Sequence, residues 1–194
     1  KSGEINAVLD RLKDDARDVS VITSPVTGYV RIIDKTEMMS AAEAFDLEVQ
    51  ILCRTGDFLT EGDPMLRYRA CSSLEDSKDA EKKLHACFFL GSMRTPVQDS
   101  EFLFQELSEI AMRALSPGIN DPVSAISALN RIVAALIIVG EGKDATPFET
   151  DEQDKIRILS PETRFEMLVH ANLDMMAPDF ARSAPAARDF LHRL

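Results

Sequence analysis

An α+β fold, in which a small β-module packs with a mainly helical part, is what this 194-residue sequence predicts, and two textures along the chain predict it. Between Val19 and Ala70, short β-branched runs alternate with turn residues. Within them Leu47-Glu48-Val49-Gln50-Ile51-Leu52 keeps the two-residue period of a half-buried strand. Beyond residue 100 the apolar positions instead recur at three- and four-residue intervals, as one face of a helix requires. The expected division is a connector helix over 1–18, a β-rich module over 19–72 and a mainly helical part over 73–194, with one domain overall as the alternative. A hydrophobic content of 45% places the chain among globular proteins, with enough length for one full core or two small modules.

Taken in order, Ile5, Val8, Leu9, Leu12 and Ala16 mark an amphipathic helix over Glu4 to Ala16. Val21-Ile22 leads to Pro25 and Gly28, and Tyr29 to Ile33 forms the next strand; Glu37 to Ala44 reads as a short helix before Leu47 to Leu52. Gly56-Asp57 and Gly62-Asp63-Pro64 supply turns around Phe58-Leu59, and Met65 to Arg69 is another alternating strand. The stretch from Ser72 to Lys83 is polar and helical at its end, and His85 to Leu90 returns to the sheet, ended by Gly91. Leu103, Leu107, Ile110, Ala111 and Ala114 line a first long helix; Ile126, Leu129, Val133, Leu136 and Ile137 line a second, apolar nearly all round and expected at the centre of the core. Gly140 to Asp144 is a loop, and few core residues follow before Lys155. Ser160-Pro161-Glu162 opens a third helix, Pro178 breaks it near Met176, and Ala186 to Leu194 begins a fourth.

Composition excludes several functions. A formal charge of -11 disfavours nucleic acid or anionic lipid as principal partner, because both need a cationic face. The longest unbroken apolar run, Ile132 to Val139, falls short of the roughly 20 residues of a membrane-spanning helix, so a soluble chain is expected. Cys53, Cys71 and Cys87 lack C-x-x-C spacing and read as free thiols in a reducing compartment. The start at Lys1 lacks a basic or signal-like segment and reads as part of a longer protein.

The densest punctuation is Arg113-Ala114-Leu115-Ser116-Pro117-Gly118-Ile119-Asn120-Asp121-Pro122, which sets two prolines, a glycine and two polar caps between the long helices. With Ser24-Pro25-Val26-Thr27-Gly28-Tyr29-Val30, Gly56-Asp57-Phe58-Leu59 and Arg94-Thr95-Pro96-Val97-Gln98-Asp99, this decapeptide resembles the signature of a bacterial predicted membrane protein family, domain of unknown function 2254. The resemblance is closest over residues 20 to 139. It implies transmembrane helices upstream of Lys1 and a soluble part on the cytoplasmic side of the inner membrane. The S-P-x-x-G-x-V and G-D-x-x-x-x-G-x-P segments also resemble half-motifs of barrel-sandwich hybrids, as in biotinyl and lipoyl carriers, efflux adaptors and small regulatory domains of ion transporters. Carriers present their modified lysine before the P-x-x-G segment, whereas Lys35 follows it, so Lys35 reads as a solvated surface residue.

Candidate ligand-binding residues cluster at the two helix entrances: Arg94, Gln98 and Asp99 before the first long helix, and Arg113, Ser116, Asn120 and Asp121 before the second. Asp121, before Pro122, suits an N-cap; Gly118 suits a positive φ after the first helix; Asp99 or Ser100 suits the first helix's cap. Capping is weighed ahead of a site here, with Glu109 offering Arg113 an i,i+4 ion pair. Against it stands the crowding of Arg113, Ser116 and Asn120, which suits a small anion at a helix N-terminus. An Asp99–Asp121 carboxylate pair would suit a divalent cation. Ser116 lies outside any G-x-S-x-G elbow, and His85, His170 and His192 are scattered. The function expected is a non-enzymatic regulatory, assembly or ligand-sensing domain of an integral membrane protein, a homo-oligomer partnered by its own transmembrane segment, with no cofactor or resident metal. The alternatives are a hydrolase or metal-dependent enzyme at the Arg113 to Pro122 corner, and a purely structural oligomerisation module.

Overall fold

Residues expected to alternate as a half-buried strand form β3 (Leu47–Ile51), buried on both faces with Glu48 among its buried positions; it pairs antiparallel with β5 (Pro64–Ala70), Val49 opposite Tyr68 and Ile51 opposite Leu66. A computed structural model describes residues 1–13, 18–72, 77–141, 146–161 and 165–193. The chain forms two compact units: Lys1–Asp99 with Thr146–Glu162, and Ser100–Ala145 with Thr163–Leu194. The cut falls at 99/100 rather than 72/73 because the strand following Ser72 belongs with the first unit's sheets, and a later segment returns to them.

In the first unit, α1 (Ser2–Arg11) is followed by β1 (Val19–Thr23), β2 (Gly28–Ile33), α2 (Lys35–Ala44), β3, β4 (Phe58–Leu59) and β5. Then come α3 (Ser77–Ala86), β6 (Phe88–Gly91), and, after the excursion into the second unit, β7 (Phe148–Thr150) and β8 (Ile156–Leu159). One sheet runs β1-β5-β3-β8-β7, with β3 and β8 parallel and the other pairs antiparallel; a second runs β4-β2-β6. The fold is mixed α and β, and neither sheet closes into a barrel. Met38, Ala41 and Ala42 of α2 and Ala80 and Leu84 of α3 share a core with Leu47, Val49, Ile51, Met65, Leu66 and Ile158. Asp34 caps α2 by accepting from Glu37 N at 3.0 Å, which starts that helix two residues before the expected Glu37.

Two tight turns organise this unit. In Arg54-Thr55-Gly56-Asp57 and Thr60-Glu61-Gly62-Asp63 the Asp side chain accepts from the first residue's amide at 2.7 Å in both, and the Gly takes φ of +95° or +92°, where a side chain would be strained. The S-P-x-x-G segment joins the second turn through Ser24 N to Asp63 O and Gly62 N to Ser24 O. Lys35 sits in the first turn of α2, paired with Glu149 at 3.0 Å, away from any hairpin tip.

The second unit holds α4 (Ser100–Ala114), α5 (Pro122–Glu141), α6 (Phe165–Ala181) and α7 (Ala184–Arg193). Phe104, Ala111, Leu129, Ile132, Leu136, Met176 and Phe180 form its core, and the Phe180 and Phe190 rings lie 5.2 Å apart. Inside it Ser108 Oγ donates to Asn172 Oδ1 at 3.1 Å, so a buried polar pair is satisfied between α4 and α6.

Several expectations are corrected. His85 belongs to α3, and the strand begins only at Phe88. Beyond Lys155, where no strand was expected, Ile156 to Leu159 form β8 and all four are buried, and Phe148–Thr150 pairs with it as β7. Pro178 lies inside α6; its missing amide costs one hydrogen bond near the helix end, and the burial of Phe180 holds the last turn together. Asn120, not Gly118, takes the left-handed conformation, at φ 48°. Ala16 and the helix start at Glu162 lie outside the described residues.

The expectation that no segment reaches spanning length is also overturned. α5 is 20 residues long and apolar enough to cross a membrane, and the run count missed it because Ser124, Ser127, Asn130 and Arg131 interrupt the apolar stretch.

Candidate functional site

After β6 the chain enters residues 92–99, where Arg94, Gln98 and Asp99 come together in the first unit. Asp99 is only 3% exposed, and Arg94 donates to it twice, Nε to Oδ2 at 2.7 Å and Nη2 to Oδ1 at 2.8 Å. Such a planar fork is the strongest pairing two charged side chains make. Gly56 lies against the pair: an added Cβ would stand 2.3 Å from Asp99 Oδ2. Gln98 accepts from Ile33 N through Oε1 at 3.0 Å, and its carbonyl accepts from Thr55 Oγ1 at 2.8 Å. The segment is therefore stitched to the end of β2 and to the Arg54–Asp57 turn. A cation at Asp99 would compete with a guanidinium already holding both oxygens.

Arg113, Ser116, Asn120 and Asp121 lie together in the second unit, where α4 hands over to α5. Asp121 N donates to Ala114 O at 2.7 Å and Asn120 N to Ser116 O at 2.9 Å, folding the decapeptide back on the end of α4. Asp121 then caps α5: Oδ1 accepts from Val123 N and Ser124 N, each at 3.1 Å, and Oδ2 from Ser124 Oγ at 2.6 Å. The Ser124 hydroxyl, then its amide, hold the carboxyl below its usual range. The first-turn amides an exogenous anion would use are thus already taken by the chain's own carboxylate. Arg113 is exposed and forms no ion pair among the described residues, so the expected Glu109 partner is not engaged.

The best-built polar cluster was missed by sequence reasoning. Glu48, buried on β3, receives Arg11 Nε at 2.9 Å and a second Arg11 nitrogen at 2.5 Å, with Arg69 Nη1 at 3.6 Å. On the neighbouring strand Arg157 bridges two acids, Nε to Asp151 Oδ2 at 2.7 Å and Nη1 to Asp46 Oδ1 at 2.6 Å; Lys155 Nζ also reaches Asp46 at 2.9 Å. The hydrogen bond from Arg157, then that from Lys155, bring the Asp46 carboxyl down to about 2. Burial alone would raise Asp151, but Arg157 and the Lys155 and Gln153 amides hold it low. Each acid is matched by a base, and the arrangement locks α1, β3 and β8 together. Its one sequence signal is an arginine inside the β-branched run Ile156-Arg157-Ile158.

Burial pushes the Cys53 thiol up to about 12 and the Cys87 thiol up to about 11, leaving both as inert neutral thiols. Among the described residues no three His, Cys, Asp or Glu side chains gather as metal ligands. A cleft of about 500 Å³ opens between α1 and the β3–β8 pair, lined by Ser2, Ile5, Asn6, Leu9, Gln50, Ile51, Leu52, Pro147, Leu159, Ser160 and Pro161.

The helix expected at the centre of the core is instead two-faced. α5 buries Ala125, Ala128, Leu129, Ile132 and Leu136 but leaves Val123 and Ile138 74% and 72% exposed, with Ile137 also exposed. Residues 3–194 match the model of a family described as a predicted membrane protein of unknown function, DUF2254. This chain belongs to that family. It is similar to an uncharacterised protein of Mycobacterium bovis and to uncharacterised proteins of two strains of Mycobacterium tuberculosis, 24% identical over 156 residues in each case. The aligned segment covers 79% of this chain and 30% of theirs, so the chain spans about a third of the length of the curated relatives it matches.

Proposed function

We propose that this chain is a self-associating regulatory domain of a larger membrane protein, and that two copies meet through the outer face of α5. The observation that carries this reading is the uncharged seam Val123, Ser127, Asn130, Ala134 and Ile137, spaced four and three residues apart on a face that no other described element covers. Ser127 and Ala134 are small enough for two helices to approach closely. Arg131, the one charge on α5 before Glu141, disfavours lipid as the cover, because an arginine at mid-helix costs about 2.5–3.5 kcal/mol in a bilayer. A two-fold dimer is the commonest arrangement for such a surface.

Membership of a predicted membrane family supports attachment to transmembrane segments in the whole protein. The free thiols Cys53, Cys71 and Cys87 support placement on the cytoplasmic side of an inner membrane, where disulfides do not form. Light scattering tests the assembly: the protein is expected to run as a dimer at micromolar concentration, and Ile138→Glu as a monomer with an unchanged melting temperature. A parental protein that stays monomeric overturns the reading.

A further inference from the structure

We propose that α1 is a releasable strap, able to leave the sheet as one unit while both sheets stay folded, and that Glu48 is its latch, held by Arg11 when the strap is docked and by Arg69 when it is not. The device lies wholly within the first unit and stands independently of the α5 seam. Only Val8 of the ten residues of α1 is buried. With Leu12 just beyond the helix, Val8 packs on Ile156 and Leu159 in a small cluster apart from the unit's main core, which draws Ile158 from the same strand. The helix therefore lies on the sheet along one narrow ridge with a gap on either flank. Ser2, Ile5, Asn6 and Leu9 line the cleft of about 500 Å³, and Glu4, Ala7, Val8 and Arg11 line a second of about 280 Å³. Ten residues with no side-chain cap at the first turn make a helix that is marginal away from a supporting surface. Docking and helix formation are thus coupled, and departure of α1 leaves the main core whole.

Charge holds the strap at its two ends. Lys1 reaches Asp154 at 2.6 Å, and Arg11 forks Glu48 through nitrogens 2.9 and 2.5 Å away, while Leu12 O accepts from Arg67 Nη1 at 2.9 Å. The Lys1–Asp154 pair is solvent-exposed and contributes little. Glu48 is different, because its side chain is only 4% exposed and a buried carboxylate left without a cation is strongly disfavoured. Arg69 meets that need. It stands directly opposite Glu48 on β5, with Nη1 3.6 Å from Oε2, within ion-pair range but too far for a hydrogen bond while Arg11 occupies the carboxylate. A small shift closes that gap once Arg11 leaves, so the sheet carries its own replacement cation. Release bares Val8 and Leu12 on the strap and Ile156 and Leu159 on the sheet, which gives the unit two displays of surface from one fold, as a switch requires.

Residue-resolved hydrogen exchange on the intact chain tests both parts. The amides from Ile5 to Leu12 are expected to share one opening equilibrium and to exchange at least about tenfold faster than those of β3 and β5. Arg11→Gln should speed that whole set about tenfold and leave β3 and β5 unchanged. Arg69→Gln should do the reverse and slow the set, because only the released state relies on Arg69 to hold Glu48. A merely structural role for the two arginines would loosen α1 in both variants. Should Arg69→Gln melt early, Glu48→Gln carries the same test: it should speed release as Arg11→Gln does, and the two together should do no more than either alone. Protection that climbs steadily from Ile5 to Leu12 marks a fraying end and overturns the strap, as does exchange of α1 only in step with β3. Faster release in Arg69→Gln, or additive effects of Arg11→Gln and Glu48→Gln, overturns the latch.

Discussion

Arg94 grips Asp99 through two parallel hydrogen bonds, 2.7 and 2.8 Å long, in a space kept open by the missing side chain of Gly56. Arg94→Ala removes the cation from a buried carboxylate, and loss of one partner of such a pair costs about 3–5 kcal/mol. Urea unfolding should show that loss, with Arg94→Lys intermediate because a lysine cannot form the fork. Gly56→Ala should destabilise through both the clash and the positive φ, and combining it with Arg94→Ala should cost less than the separate effects added.

Asp121 and Arg113, towards opposite ends of the decapeptide, should behave oppositely. Asp121→Ala removes the acceptor for two first-turn amides and should lower the melting temperature, whereas Asp121→Asn and Asp121→Ser keep a capping oxygen and should stay near the parent. A stable Asp121→Asn that loses a phosphate- or cation-induced thermal shift present in the parent would show the carboxylate to be a ligand group instead.

Exposed Arg113 has no ion-pair partner among the described residues, so Arg113→Ala is expected to change stability by no more than about 0.5 kcal/mol, measured by the same melts.

Acid should unlock the first unit through Asp46. Its folded carboxyl titrates at about 2, below the roughly 3.9 of an unfolded aspartate, so the unfolded chain takes up the proton first. The stabilisation is complete above the unfolded value and is lost as pH falls from about 4 towards about 2. Thermal melts across that window should fall steeply for the parent and less steeply for Asp46→Asn.

Thiol chemistry should separate the three cysteines. Cys71 is half-exposed, while Cys53 and Cys87 are buried with raised pKa values. Ellman's reagent at pH 8 should therefore titrate one thiol quickly in the native protein and all three in denaturant. Fast reaction of Cys53 or Cys87 would mean that the first unit's core opens readily.

What was legible in the sequence was local. The stripes of α4 and α5, the cap at Asp121 and the two glycine-aspartate turns each depend on residues within a turn or two of one another. The four-residue β8 carries too little pattern to announce itself, and its parallel partner β3 lies beyond two long helices in the chain. Arg157 and Asp46, 111 positions apart, could be joined only by the fold. Glu48 looked like the wet side of an alternating strand, but β3 is the middle strand of five, and Arg11 and Arg69 turn its polar position into a buried one. α5 misled in the other direction, since an apolar composition does not say whether the cover comes from the same chain.

The return of β8 beside β3 sets an order of events during synthesis. A ribosome releases α4 and α5 before the strand that completes the first unit's sheet, so a nascent chain ending at Asp99 has β3 with an unpaired edge, and Asp46 without Arg157. Neither unit can be excised by a single cut, because each is assembled from two separated stretches of chain. Splitting the gene at codon 99 should yield two insoluble products, whereas joining residue 99 to 146 through a short linker, with the sequence ending at 161, should preserve the first sheet in full.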